Sequence, residues 1–162
     1  MLGSAAVVMG GLGVAGLARG EPAAAGERVA WPEVTLLDGT RFGAAQAAGQ
    51  AVVAVFWSTT CPFCRRHNPH VEKLHRAARA AGKPLTVLGI ARDRDAAAVR
   101  AHARERGYTF PITLDSAPLA AALSQRNLIP LTVTVDRQGR LKQVIPGEMF
   151  EEDVMELLGL AG

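Results

Sequence analysis

Apolar residues along this chain switch between two rhythms, and the switches mark its elements. Ala51 to Trp57 is an unbroken apolar run, rich in β-branched and aromatic residues and too short for a buried helix, so it predicts a central strand. Leu85 to Ala91 predicts a second buried strand. Between them Val71, Leu74, Ala78 and Ala81 recur every three or four residues, with Lys73, Arg76 and Arg79 interleaved. This predicts a helix over Pro62–Ala81, with Pro62 in its first turn and Gly82 as its stop. Pro69 lies inside that span and predicts a kink or break about two turns in.

The remaining elements are shorter. Val34 to Leu37, an Asp38-Gly39 turn and Thr40 to Phe42 read as a small hairpin, and Gly43 to Gly49 as a brief Ala-rich helix. A helix is expected over Asp95–Gly107, an extended piece over Phe110–Leu114 and a short helix over Ala117–Gln125. Leu131 to Val135, the turn Asp136–Gly139 and Leu141 to Ile145 predict an antiparallel hairpin. A last helix starts near Glu151, with Val154, Leu157 and Leu158 on one face. The order predicts an α/β fold, a mixed sheet with helices on both faces.

With 162 residues and 49% of them apolar, the chain has material for one domain, placed at residues 27–162. Leu2 to Ala18 carry no charge, and Arg19 to Gly26 are small and polar. Residues 1–26 therefore read as a signal peptide or an N-terminal anchor plus linker, with Gly16-Leu17-Ala18 or Ala23-Ala24-Ala25 as cleavage sequences, although the usual basic leader is missing. Export to the periplasm is expected, with membrane contact only through this segment if it stays uncleaved. No cysteine lies there, which excludes a lipoprotein anchor. The net charge of +3 does not point to nucleic acid, because the basic residues are scattered among acids and only two Trp, one Tyr and five Phe could stack bases.

The only cysteines are in Cys61-Pro62-Phe63-Cys64, where the first strand hands over to the helix. Haem attachment would need His after the second Cys, and Arg65 stands there. Cys61, Cys64, His67 and His70 recur every third residue, which suggests a metal. On a helix, however, each such step turns about 300°, so the four side chains spread over roughly 180°. A site of two thiols and one His stays open; no cofactor is otherwise implied. A permanent disulfide across two residues would restrain little of the unfolded chain. Dithiol–disulfide exchange fits best. At a helix N-terminus, with Arg65, Arg66 and His67 nearby, Cys61 is the attacking thiol and Cys64 the resolving one. Trp57 is equally a core residue or a lid beside the thiols, and His75 and His102 are expected to be solvated. Ile129-Pro130, taken alone, is an ordinary trans pair by frequency.

Phe56-Trp57-Ser58-Thr59-Thr60-Cys61-Pro62-Phe63-Cys64 resembles the thioredoxin superfamily, and more narrowly its exported TlpA/ResA-type thiol–disulfide oxidoreductases. The resemblance extends through Leu36–Gly39, Phe110–Asp115, Pro130 and Val135–Gly139. It implies a thioredoxin-like fold with an N-terminal β-hairpin extension. It also implies that Pro130 is a cis-proline facing the disulfide, with Trp57, Pro62, Phe63 and Ile129 on the substrate side. The implied role is reduction of protein disulfides, including those of cytochrome c maturation, with a membrane-bound redox partner restoring the dithiol. The alternatives are a periplasmic disulfide-forming oxidase and a non-catalytic metal-binding or chaperone-like module. Departures from the pattern are Pro62 after the first Cys, Val55 where a buried acid is frequent, Leu128 in place of Gly and Leu131 in place of Thr.

Overall fold

The computed structural model describes residues 21–162. The apolar segment up to Arg19, and with it most of the expected signal or anchor, lies outside the described residues.

The strand β3 (Ala51–Trp57) is buried on both faces along its whole length. Burying each Val or Phe of such a strand contributes about 1.5–3 kcal/mol, which explains why this run takes the centre of the sheet. It pairs in parallel with β4 (Leu85–Ala91), Ala51 opposite Leu85 and Trp57 opposite Ala91. On its other side it pairs antiparallel with β6 (Leu131–Val135), Val55 opposite Thr132. The short β5 (Ile112–Thr113) and the strand β7 (Leu141–Pro146) complete the order β5-β4-β3-β6-β7. A separate two-strand hairpin, β1 (Val34–Thr35) and β2 (Arg41–Phe42), extends the N-terminal side. Its Leu36 bridges to Thr113, and Asp115 accepts the Thr35 N–H at 2.9 Å.

Side chains alternate about the sheet into two cores. Val53, Val55 and Trp57 meet α2 (Pro62–Ala80), α3 (Ala96–Arg106) and α5 (Glu151–Glu156) on one face. Val52, Ala54 and Phe56 meet α1 (Ala44–Ala47), α4 (Ser116–Leu123) and the hairpin on the other. Thus the helices lie on both faces, as the order of elements predicts. Among the described residues no helix is long and apolar enough to cross a membrane.

Two expectations change here. Pro69 does not break α2, which runs as one helix of 19 residues; Val71, Leu74 and Ala78 are packed into the core just beyond it and hold the helix on course. The folded body also begins before Glu27. Ala23 donates to the Ala122 carbonyl at 3.1 Å, and Gly26 and Glu27 exchange bonds with Leu141 at 2.8 and 2.9 Å. The proposed linker residues just before 27 are thus already strapped to the domain.

Gly89 in β4 gives room to the first core. A Cβ there would lie 2.6 Å from Phe110 Cε2 and 3.2 Å from Trp57 Nε1. Phe110 is 3% exposed and stacked on Tyr108, so neither ring has space to retreat. Gly89→Ala is expected to lower stability by about 1–3 kcal/mol in urea denaturation; an unchanged midpoint would show that the core gives way there.

Candidate functional site

The site forms where β3 ends and α2 begins. Asp93, just past the neighbouring β4, accepts the Thr59 N–H and hydroxyl, and so fixes the loop before Cys61. Cys61 caps α2: its backbone is extended, its Sγ accepts the Cys64 N–H at 3.1 Å, and Pro62 fills the first turn. Both cysteines are free thiols in this structure.

The two sulfurs are unlike in environment. Cys61 is half-buried, and its Sγ stands 3.9 Å from the Ile129 carbonyl oxygen. Cys64 is 0% exposed. Burial first, and then the Cys61 sulfur beside it, push the Cys64 thiol up to about 12. An incoming disulfide can therefore reach Cys61 but not Cys64. The Ile129–Pro130 peptide is cis, as the resemblance implies and frequency alone does not, with Pro130 buried and Ile129 half-buried opposite the motif.

Around the thiols the surface is apolar. Phe63 is 55% exposed and Leu128 38%. Pro62 is exposed beside them. The Arg66 guanidinium lies 4.9 Å from the Phe63 ring centre and grips Glu148 with bonds of 2.9–3.1 Å. Trp57 does not join this surface. Its ring is wholly in the core, against Tyr108 at 6.0 Å and His102 at 5.6 Å, because position 57 points to the face packed under α2 and α3. This removes it from the residues that a partner could touch directly.

The histidines divide. His67 is fully buried: its Nδ1 accepts the Met149 N–H at 3.1 Å and its Nε2 faces Thr132 Oγ1 at 3.4 Å, so the ring proton belongs on Nε2. His70 turns instead to Glu151, at 3.5 Å. The ladder of four sulfur and nitrogen donors does not converge, and among the described residues no group of three or more His, Cys, Asp or Glu does. His75, expected in solvent, is 7% exposed and one of the buried residues of α2.

Sequence reasoning passed over Asn68, Glu72 and Tyr108. Cys64, Asn68 and Glu72 follow one another at steps of four on α2, and all are buried. Glu72 accepts from Thr109 N at 2.7 Å, Phe110 N at 3.2 Å, Thr109 Oγ1 at 2.6 Å and Arg76 Nε at 2.7 Å. Burial works to raise its pKa, but these bonds together hold the carboxyl below its ordinary value. Asn68 and Glu72, two polar residues four apart inside an apolar stripe, were the available signal.

With this geometry in view, comparison with known proteins is informative. The sequence model of the Redoxin family matches residues 24–158. The chain is 28% identical over 106 residues to the thiol-disulfide oxidoreductase ResA of Geobacillus kaustophilus, covering 65% of this chain and 60% of that protein's length. Among solved structures it resembles a thiol:disulfide interchange protein of the thioredoxin family from Chlorobium tepidum, with TM-score 0.76 and 23% identity over 85% of this chain and 97% of that one. It also resembles a secreted thiol-disulfide isomerase from Corynebacterium glutamicum, with TM-score 0.74 and 28% identity over 82% of this chain and 84% of that one.

Proposed function

Because this chain belongs to the Redoxin family, we propose that it is a thioredoxin-like thiol–disulfide oxidoreductase that reduces disulfides of protein substrates outside the cytoplasm. The observation that carries the reading is the division of labour at α2: an accessible Cys61 sulfur at the helix cap, opposite Ile129, and an inaccessible Cys64 one turn below. Cys61 attacks the substrate disulfide and forms a mixed disulfide; Cys64 then attacks Cys61 and releases the reduced substrate. Phe63, Pro62, Ile129 and Leu128 offer the apolar surface on which a substrate segment would rest.

Reduction rather than oxidation is favoured by the charges. A strongly oxidising pair draws its power from a stabilised thiolate in the reduced form. Here Arg66, one of the two arginines that follow the motif, is matched by Glu148 in a two-pronged pair, so its share of the charge is largely spent. Export is supported by the uncharged apolar stretch Leu2–Ala18 and by likeness to the Corynebacterium protein described as secreted. A membrane-bound dithiol donor would restore the reduced pair, and the ResA-type resemblance supports a role in cytochrome c maturation.

The reduction potential of the Cys61–Cys64 pair, equilibrated against glutathione, is the direct test. It is expected near the roughly −270 mV of a thioredoxin; a value near −120 mV would reverse the direction of electron flow and make the protein an oxidase. Insulin reduction by the wild-type chain should accompany the low potential, and inactivity there would sink the enzyme reading.

A further inference from the structure

Beneath Cys64 the core holds polar atoms that the fold does not pair. Trp57 Nε1, both amide atoms of Asn68 and Tyr108 Oη are four of the five buried side-chain atoms without a hydrogen-bond partner among the described residues. Asn68 is 1% exposed and Tyr108 8%. Buried polar atoms are nearly always satisfied, so four in one region call for one explanation.

The four belong together. Asn68 stands one turn below Cys64 on the same face of α2, where side chains four apart have Cβ atoms about 5–6 Å from each other. Tyr108 packs edge-on against Trp57, 6.0 Å between ring centres. Cys64, Trp57, Tyr108 and Phe110 share one core cluster, and Asn68 opposes the rise that burial gives the Tyr108 pKa. Nor is the arrangement loose. Glu72, a further turn down, clamps the backbone of Thr109 and Phe110, and the Phe110 ring stacks on Tyr108 at 5.2 Å. Leu and Phe at positions 68 and 108 would fill the same space and remove three of the four unpaired atoms.

We propose that Asn68 and Tyr108 form a polar pocket that stabilises the Cys64 thiolate while it resolves a mixed disulfide, a task for which Val55 supplies no acid. The proposal rests on the exchange reading of the cysteine pair. In the step concerned, Cys64 gives up its proton and its sulfur attacks Cys61. The Cys61–Cys64 bond forms and the bond from Cys61 to the substrate sulfur breaks. The leaving thiolate takes up a proton, so the protein dithiol loses two electrons and the substrate disulfide gains them. Asn68 N–H and Tyr108 O–H donate towards the anionic sulfur, directly or through water, and neither carries a net charge. They are positioning residues. Ionisable neighbours of the pocket are Cys61 at the cap of α2, Arg65 and Glu72 from α2, and His102 and Arg106 from α3.

The test separates the two chemical steps. An aromatic disulfide with a coloured leaving thiolate releases one equivalent when Cys61 attacks and a second when Cys64 resolves. Followed by stopped flow over a pH series, Tyr108→Phe and Asn68→Leu should leave the first release unchanged. Each should slow the second about tenfold, as expected for losing one donor to a charged group, and displace its pH profile upward. A second release unchanged in both variants would overturn the proposal, as would equal slowing of both releases, the mark of a loosened fold. If Tyr108→Phe fails to fold, Asn68→Leu decides alone by the same two criteria. Should the wild type release only one equivalent, the exchange reading itself fails, which is a distinct outcome.

Discussion

Cys61→Ser should lower disulfide exchange by roughly three orders of magnitude or more, whereas Cys64→Ser should preserve the first chemical step and stop the second. The scale for the first variant follows from losing a nucleophile whose role no neighbour can assume. Cys64 cannot take over, because it is 0% exposed and its thiol is pushed up to about 12. Its thiolate fraction at neutral pH is then on the order of one in a hundred thousand. Once Cys61 is joined to a substrate sulfur, the geometry changes in favour of Cys64: the attack is intramolecular, and the target sulfur is held beside it at the helix cap. Cys64→Ser should therefore accumulate a mixed disulfide on Cys61, visible as an added mass on the intact protein under non-reducing conditions. Trapping on Cys64 in the Cys61→Ser variant, or full turnover by Cys64→Ser, would invert the assignment.

Acid should destabilise the fold through His67 by about 3 kcal/mol in total. Burial chiefly, and the neighbouring His70 next, lower this imidazole from 6.5 to about 4, against the opposing pull of Glu148. The folded ring stays neutral where the unfolded one already binds a proton, so between about pH 6.5 and 4 the unfolded state holds more protons. Stability from this group is complete above that window and is lost as pH falls through it; the 2.5-unit difference corresponds to about 3 kcal/mol. The physical cause is plain in the hydrogen bonds: a protonated Nδ1 would face the Met149 N–H, donor against donor. Glu148, His70 and Glu151 are the charged or titratable groups around this stretch of α2. His67→Gln keeps one acceptor and one donor but cannot titrate. Its urea midpoint should fall less steeply than the wild type's across the window, and an equally steep fall would clear His67 of the effect.

How much of this was legible in the sequence depended on the kind of signal. The strand runs at Ala51–Trp57 and Leu85–Ala91 have bounds in the structure identical to those of the apolar stretches, because strands buried on both faces leave only Thr86 as a polar residue between their ends. Cys61 and Cys64 are legible from spacing and from the Pro in the first turn. What spacing could not convey was which face of the sheet each residue meets. Trp57 looked equally suited to lid and core, and the parity of β3 places it inward with Val53 and Val55. Pro69 looked like a breaker, and tertiary packing beyond it overrode the local cost. His75 was read as solvated because it lies among Arg and Ala, yet its side chain is 7% exposed while Arg76 and Arg79 reach solvent. The polar ladder from Cys64 through Asn68 to Glu72 needed the position of Tyr108, which is 36 residues beyond Glu72 and joins it only through the fold.

The ends of the sheet carry a consequence for how this molecule behaves among its own copies. A free strand edge is a template for another chain. The β5 edge is short and bridged by Leu36 from the hairpin, and the turn leading into β7 is bridged by Arg28 to Arg140 from the N-terminal strap. Along β7 itself, Lys142 places a charge and Pro146 withholds an N–H. On the proposed function, other chains would approach this molecule with their strands exposed. With both sheet edges blunted, such an encounter would offer little template for strand addition.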